Sequence, residues 1–157
     1  MTPPPAADAA HMQLCTFSLD GLHFGVDVLQ VQEVLRFQEM TPVPLAPPET
    51  RGLINLRGQV VPAVDLRLRL GLAERPLDGL APEDQPMNVI VRAGDDTVSL
   101  LVDQIGDVVE PAADALEPPP ETLTGRVRDV VTGVYKLDGQ LLLVMDADRT
   151  LNLPARA

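Results

Sequence analysis

"RGLINLRGQVVPAVDLRLRLGL", residues 51–72, and "TGVYKLDGQLLLVMDADRTLNL", residues 132–153, align without a gap. Glycine recurs at Gly52 and Gly133, leucine at Leu56 and Leu137, and Gly-Gln at 58–59 and 139–140. Aspartate recurs at Asp65 and Asp146, and leucine again at 70 and 151 and at 72 and 153. Each copy reads as two Val/Leu strands joined by a tight turn, then an aspartate placed to cap a short helical turn. Asp138-Gly139 is a strong hairpin signal, because both central residues of such a turn need φ > 0. "SLDGLHF", residues 18–24, carries the same signal. Arg57 stands where the second copy has Asp138, although a residue with a long side chain disfavours φ > 0. It is either a tolerated surface arginine or one held there by something other than turn chemistry.

A second, weaker echo relates "FGVDVLQVQEV" (24–34) to "LLVDQIGDVVE" (100–110), with Val-Asp in register at 26–27 and 102–103. The two echoes occur in the same order at a similar spacing, so the chain reads as a duplicated small β unit. Sixteen prolines punctuate short apolar runs, the pattern of an all-β protein. Strands are expected near 12–19, 22–27, 31–37, 52–56, 59–64, 87–93, 97–102, 106–110, 131–137 and 140–145. Each half is too small for a sandwich and fits a barrel of about five strands. The expected division is a disordered Pro/Ala leader over 1–11, a first barrel over 12–72, a connection over 73–86 and a second barrel over 87–153.

Composition narrows the function. The chain has 157 residues, 45% of them hydrophobic and 22% charged, which suits a globular domain with a real core. With three Phe, one Tyr and no Trp, Val and Leu must fill the interior. A net charge of −11 argues against a nucleic-acid backbone or an anionic membrane surface as partner. One cysteine, Cys15, makes neither an internal disulfide nor a multi-cysteine metal site, and its alternating context reads as a small buried hydrophobe. The leader lacks the regions of a signal peptide, and no apolar run is long enough to span a membrane. The expected location is cytoplasmic.

Catalytic equipment is sparse. The histidines are His11, in the leader, and His23, in a hairpin; the serines are Ser18 and Ser99, in strand-like runs. Neither arrangement suggests a nucleophile beside its base. HxH, HExxH, CxxC and glycine-rich phosphate loops are all missing. Acidic stretches such as "AGDD" and "PEDQ" read as turns, and a two-carboxylate glycosidase would normally bring aromatic platforms that this chain lacks. The expectation is a binding protein, not an enzyme, with no cofactor and no metal.

"GLINLRGQVVPAVDLRLRLGL" resembles the signature of the CheW family, adaptors that join chemoreceptors to the histidine kinase CheA. "LCTFSLDGLHFGVDVLQVQEVLRF" precedes it, and "LLVDQIGDVVEP" and "LTG…LDGQLLLVMDADRTL" follow in the family's order, so the resemblance covers residues 12 to 153. It implies two SH3-like five-stranded barrels. It further implies that Glu33 pairs with Arg57, and that a groove between the barrels receives the helical tip of a methyl-accepting chemoreceptor. The matching groove positions are Val28, Val31, Glu33, Gly52, Arg57, Gly58, Ile105 and Val108, with Met87 at the edge. Any one of these valines, taken alone, reads first as ordinary core. Barrel ends would dock the regulatory domain of a CheA-type kinase, one contact using the loop 116–122. There Glu117 and Thr122 stand where a basic and an aromatic residue are familiar in the enteric pattern. The resemblance thus implies a non-catalytic coupling adaptor. The alternatives are a CheW-like modulator competing for one surface of a receptor–kinase complex, or a small β-barrel ligand-binding protein.

Overall fold

Three tight turns set the strand pairing. Asp20-Gly21, Arg57-Gly58 and Asp138-Gly139 all have positive φ at both residues, as a two-residue hairpin requires. Arg57, at φ 50°, adopts the same left-handed conformation as Asp138, at 44°. In the computed structural model, which describes residues 12–77 and 79–153, these turns belong to ten strands. They are β1 (Leu14–Leu19), β2 (Leu22–Asp27), β3 (Val31–Leu35), β4 (Thr50–Leu56) and β5 (Gln59–Asp65). The second five are β6 (Met87–Ala93), β7 (Asp96–Val102), β8 (Gln104–Val109), β9 (Val131–Leu137) and β10 (Gln140–Met145). The expected leader over 1–11 lies outside the described residues.

Short helices α1 (Leu66–Arg69) and α3 (Ala147–Leu151) follow the two aspartates. The Asp65 carboxylate accepts from the Leu68 N–H and that of Asp146 from the Asp148 N–H, which satisfies donors that a helix start leaves free. A third helix, α2 (Gly125–Val130), was not expected. It buries only Val127 and Val130, too few positions to show a helical period beside the valine-rich β9.

All-β architecture in two five-stranded sheets is what forms, with strand orders β8-β1-β2-β10-β9 and β3-β6-β7-β5-β4. The division into contiguous barrels over 12–72 and 87–153 needs correction. Hairpin β1–β2 lies in the sheet of β8, β9 and β10, and hairpin β6–β7 lies in the sheet of β3, β4 and β5. The duplicated units have exchanged their first hairpins. Parallel pairs β2·β10 and β5·β7 make the joins. A repeat in sequence identifies equivalent strands, but pairing depends on which copy's hairpin docks, and that is a long-range choice. Among its described residues the stretch 73–86 carries one 3-10 turn, Pro82–Asp84.

Each sheet curls until its outer strands approach. After β3 the chain returns to pair with β4 through Thr41 and Leu53, and after β8 it pairs with β9 through Glu117 and Val134. Both returns press on a repeated glycine. A Cβ on Gly52 would sit 2.7 Å from the Thr41 carbonyl oxygen, and one on Gly133 would sit 2.9 Å from that of Glu117. Close approach of two backbones therefore explains the recurrence of glycine at these positions.

The interior has three parts. Ile54, Leu56, Val61, Ala63, Ile90 and Leu101 fill the second sheet's curl, and Leu14, Tyr135, Leu142 and Val144 fill the first. Between them lies a larger shared core, in which Phe17 and Phe24 of the first sheet meet Val89, Val91, Leu100 and Val102 of the second. The two phenylalanines stack at 5.5 Å between ring centroids. Burying such side chains contributes about 1.5–3 kcal/mol each, so the seam is the dominant reason the sheets stay together. Cys15 is half-buried, and burial raises its thiol pKa, with Asp27 adding to the shift.

Candidate functional site

Glu33 leaves the edge strand β3 and meets Arg57, in the turn between β4 and β5, with both ends of its carboxylate. Arg57 Nη1 donates to Oε2 at 2.7 Å and Nη2 to Oε1 at 2.6 Å. β3 and β4 are opposite edges of the sheet, so this bidentate pair clasps its curl shut. The turn is braced locally, because Asn55 Oδ1 accepts from the Gly58 N–H at 2.9 Å. That combination resolves the two readings of Arg57: an ion pair holds it in the left-handed conformation. The hydrogen bonds from Arg57 lower the Glu33 pKa, and those to Glu33 raise that of Arg57. Glu33 keeps 20% of its side-chain exposure and Arg57 70%. The guanidinium thus presents charge outward while its position is fixed.

The other expected groove residues do not converge on one cavity. Met87 and Ile105 line a cleft of about 730 Å³ at the seam, together with Arg36, Phe37 and Gln104. Val31 packs half-buried against the shared core, as do Met87 and Ile105. Val28 opens the 3-10 turn Val28–Gln30. Gly52 is buried under the Thr41 carbonyl, on the strand farthest from β3. Gly58 is exposed in its turn. Val108, on the edge strand β8, is 56% exposed and is the one valine of the set open enough to be surface rather than core. In the loop 116–122, Glu117 lies 3.5 Å from Lys136 Nζ, an exposed pair, and Thr122 is exposed.

Phe37 and Arg36 went unnoticed in the sequence. One of only three phenylalanines just beyond an edge strand was the available signal. Also unforeseen was a network across the seam. Arg67, in α1, donates to Asp103 Oδ1 at 2.9 Å and to Oδ2 at 2.7 Å, and the Asp20 N–H donates to the same Oδ2 at 2.9 Å. Burial pushes the Asp103 carboxyl up, but Arg67, the Asp20 N–H and Arg75 together carry it below its ordinary value. Ser99 donates to Asn88 at 2.7 Å inside the core. Ser18 and His23 face each other across β1–β2. Among the described residues no helix is long and apolar enough to cross a membrane.

Comparison with known proteins places this geometry. Residues 13–155 match the CheW-like domain family. The chain is 30% identical over 140 residues to Chemotaxis protein CheW of Bacillus subtilis, covering 89% of this chain and 86% of that protein. It is 29% identical over 143 residues to Chemotaxis protein CheW of Treponema pallidum, covering 91% and 84%. The crystal structure of scaffolding protein TtCheW from Thermoanaerobacter tengcongensis superposes with a TM-score of 0.79 at 27% identity, over 92% of this chain and 95% of that one. The chain belongs to the CheW-like domain family, and its two curled five-stranded sheets fit the SH3-like subdomains that the resemblance implied.

Proposed function

We propose that this protein is a non-catalytic scaffold adaptor in chemotaxis signalling, coupling the cytoplasmic helical tip of a methyl-accepting chemoreceptor to the regulatory domain of a CheA-type histidine kinase. The clasp between Glu33 and Arg57 supports this reading. It holds the β4–β5 turn against β3 and keeps a charged rim in one place on the curl that β3 borders. An apolar cleft with a charged rim suits a helical tip, and the seam cleft at Phe37, Met87 and Ile105 has that character. The receptor surface would comprise Val28, Val31, Glu33, Arg57, Gly58, Ile105 and Val108, with Met87 at its edge, while Gly52, buried under the Thr41 carbonyl, would shape the sheet behind it. The loop bearing Glu117 and Thr122 would face the kinase. An adaptor acts by holding two partners at once, which raises their effective concentration without chemistry of its own.

Co-purification from mixtures of receptor tip, kinase regulatory domain and this chain tests the reading: an adaptor retains both partners in one complex. The exposed Glu117–Lys136 pair favours a second reading, because it puts an acid where the enteric pattern has a base. On that reading the chain competes for the receptor surface alone, and the same mixtures would give two-component complexes only.

A further inference from the structure

The clasp has a counterpart in the other sheet, and there it is open. Ala63 lies beside Ser99, and its repeat-equivalent Val144 lies beside Gly25. Ser99 opposes Ile90, and Gly25 opposes Thr16. Ile90 in turn opposes Glu33, and the Thr16 hydroxyl donates to the Asp107 carbonyl at 2.6 Å. Flanking pairs agree: Val31 opposes Val91 as Ile105 opposes Phe17, and Val34 opposes Val89 as Val108 opposes Cys15. Asp107 is therefore the structural equivalent of Glu33, while Asp138 is that of Arg57.

The acid of the clasp is kept and its base is replaced by a second acid. Where the second sheet is shut by a guanidinium, the first leaves a cleft of about 410 Å³ that both Asp107 and Asp138 line. Neither carboxylate has an ion-pair or hydrogen-bond partner among the described residues. Ile105, Leu137 and Val109 give the cleft an apolar wall, and Gln104 and Gln140 stand at it. Such mixed lining suits a cationic head on a hydrocarbon stem.

We infer that this cleft receives an arginine side chain of a partner protein, which completes from outside the clasp that Arg57 completes from within. The occupant is defined by the mate site in the same molecule. There the guanidinium of the turn residue, Arg57, meets the acid on the edge strand, Glu33, with both carboxylate oxygens engaged, and a planar fork matches a carboxylate in two bonds where an ammonium makes a point contact. This inference does not rest on the adaptor reading.

The test uses the full chain and two synthetic peptides, acetyl-Gly-Gly-Arg-Gly-Gly-amide and the same peptide with citrulline, which keeps the shape and removes the charge. Backbone amide NMR should show saturable shifts from the arginine peptide at Asp107, Asp138, Gln140 and their neighbours, and at least about tenfold weaker binding of the citrulline peptide. Asp138→Arg should shut the cleft by pairing with Asp107, raising the melting temperature and abolishing the shifts; Arg57 shows that arginine is accommodated at that φ. Should that variant fail to fold, Asp138→Asn and Asp107→Asn remain compatible with the turn and strand, and each should lose about tenfold in affinity. Equal binding of the citrulline peptide, shifts located elsewhere, or asparagine variants that bind like the parent would overturn the proposal.

Discussion

Arg67 grips both carboxylate oxygens of Asp103 across the seam, while the same carboxylate accepts the Asp20 N–H from the β1–β2 turn. Asp103 is the residue between β7 and β8, where the chain passes from one sheet to the other. One acid therefore ties together a helix, a hairpin turn and the crossover.

This arrangement makes stability depend on pH in a defined direction. The folded Asp103 is depressed below its ordinary value, so its contribution is present above the unfolded pKa of about 3.9 and is lost as pH falls through the folded value. Asp103→Asn should cost about 1–2 kcal/mol near neutral pH, allowing for solvent screening, and should flatten that part of the acid limb. Urea titrations of both proteins from pH 6 down to pH 2 measure it. Parallel acid limbs would remove Asp103 from the account.

Two kinds of glycine should respond differently to alanine. Gly52→Ala drives a Cβ into the Thr41 carbonyl, a backbone atom that cannot rotate away, and should cost about 1–3 kcal/mol. Gly58 has φ +89° with open space around it, so Gly58→Ala should cost about 1 kcal/mol from backbone strain alone. Thermal unfolding that ranks Gly58→Ala above Gly52→Ala would contradict the close-approach explanation.

Leu45 combines a positive φ of 66° with complete exposure. Its side chain gains no burial to offset the left-handed conformation. Leu45→Gly or Leu45→Asn should therefore stabilise the protein, by up to about 1 kcal/mol, and chemical denaturation reads the change directly. A loss of stability would mean that the loop 42–48 gains something from this leucine in solution.

Val31 and Val108 separate surface from core. Val108→Asp, at a position 56% exposed, should change stability by no more than about 0.5 kcal/mol while weakening receptor-tip binding and sparing the kinase. Val31→Asp places a charge against the shared core and should lower the melting temperature as well. For the clasp, Glu33→Ala and Arg57→Ala should each weaken receptor binding, and the double variant should bind about as poorly as either single one. Multiplying losses would separate the two residues functionally, even though they touch.

Local chemistry was legible without the fold. The ten strands, the Asp-Gly turns and the capping aspartates follow from alternation, from glycine's access to positive φ and from side-chain reach over a few residues. The gapless echo of 51–72 in 132–153 likewise identified equivalent hairpins, and the family resemblance supplied the Glu33–Arg57 pair. Register and partnership were decided only by the tertiary structure. The Val-Asp match at 26–27 and 102–103 makes Val109 the counterpart of Glu33, whereas strand pairing makes Asp107 its counterpart. A slip of two residues leaves every side chain on the same face of a strand, so apolar alternation cannot detect it. The exchange of β1–β2 for β6–β7 is invisible for a related reason: both hairpins present similar apolar faces, and the docking that distinguishes them is made between residues far apart in the chain.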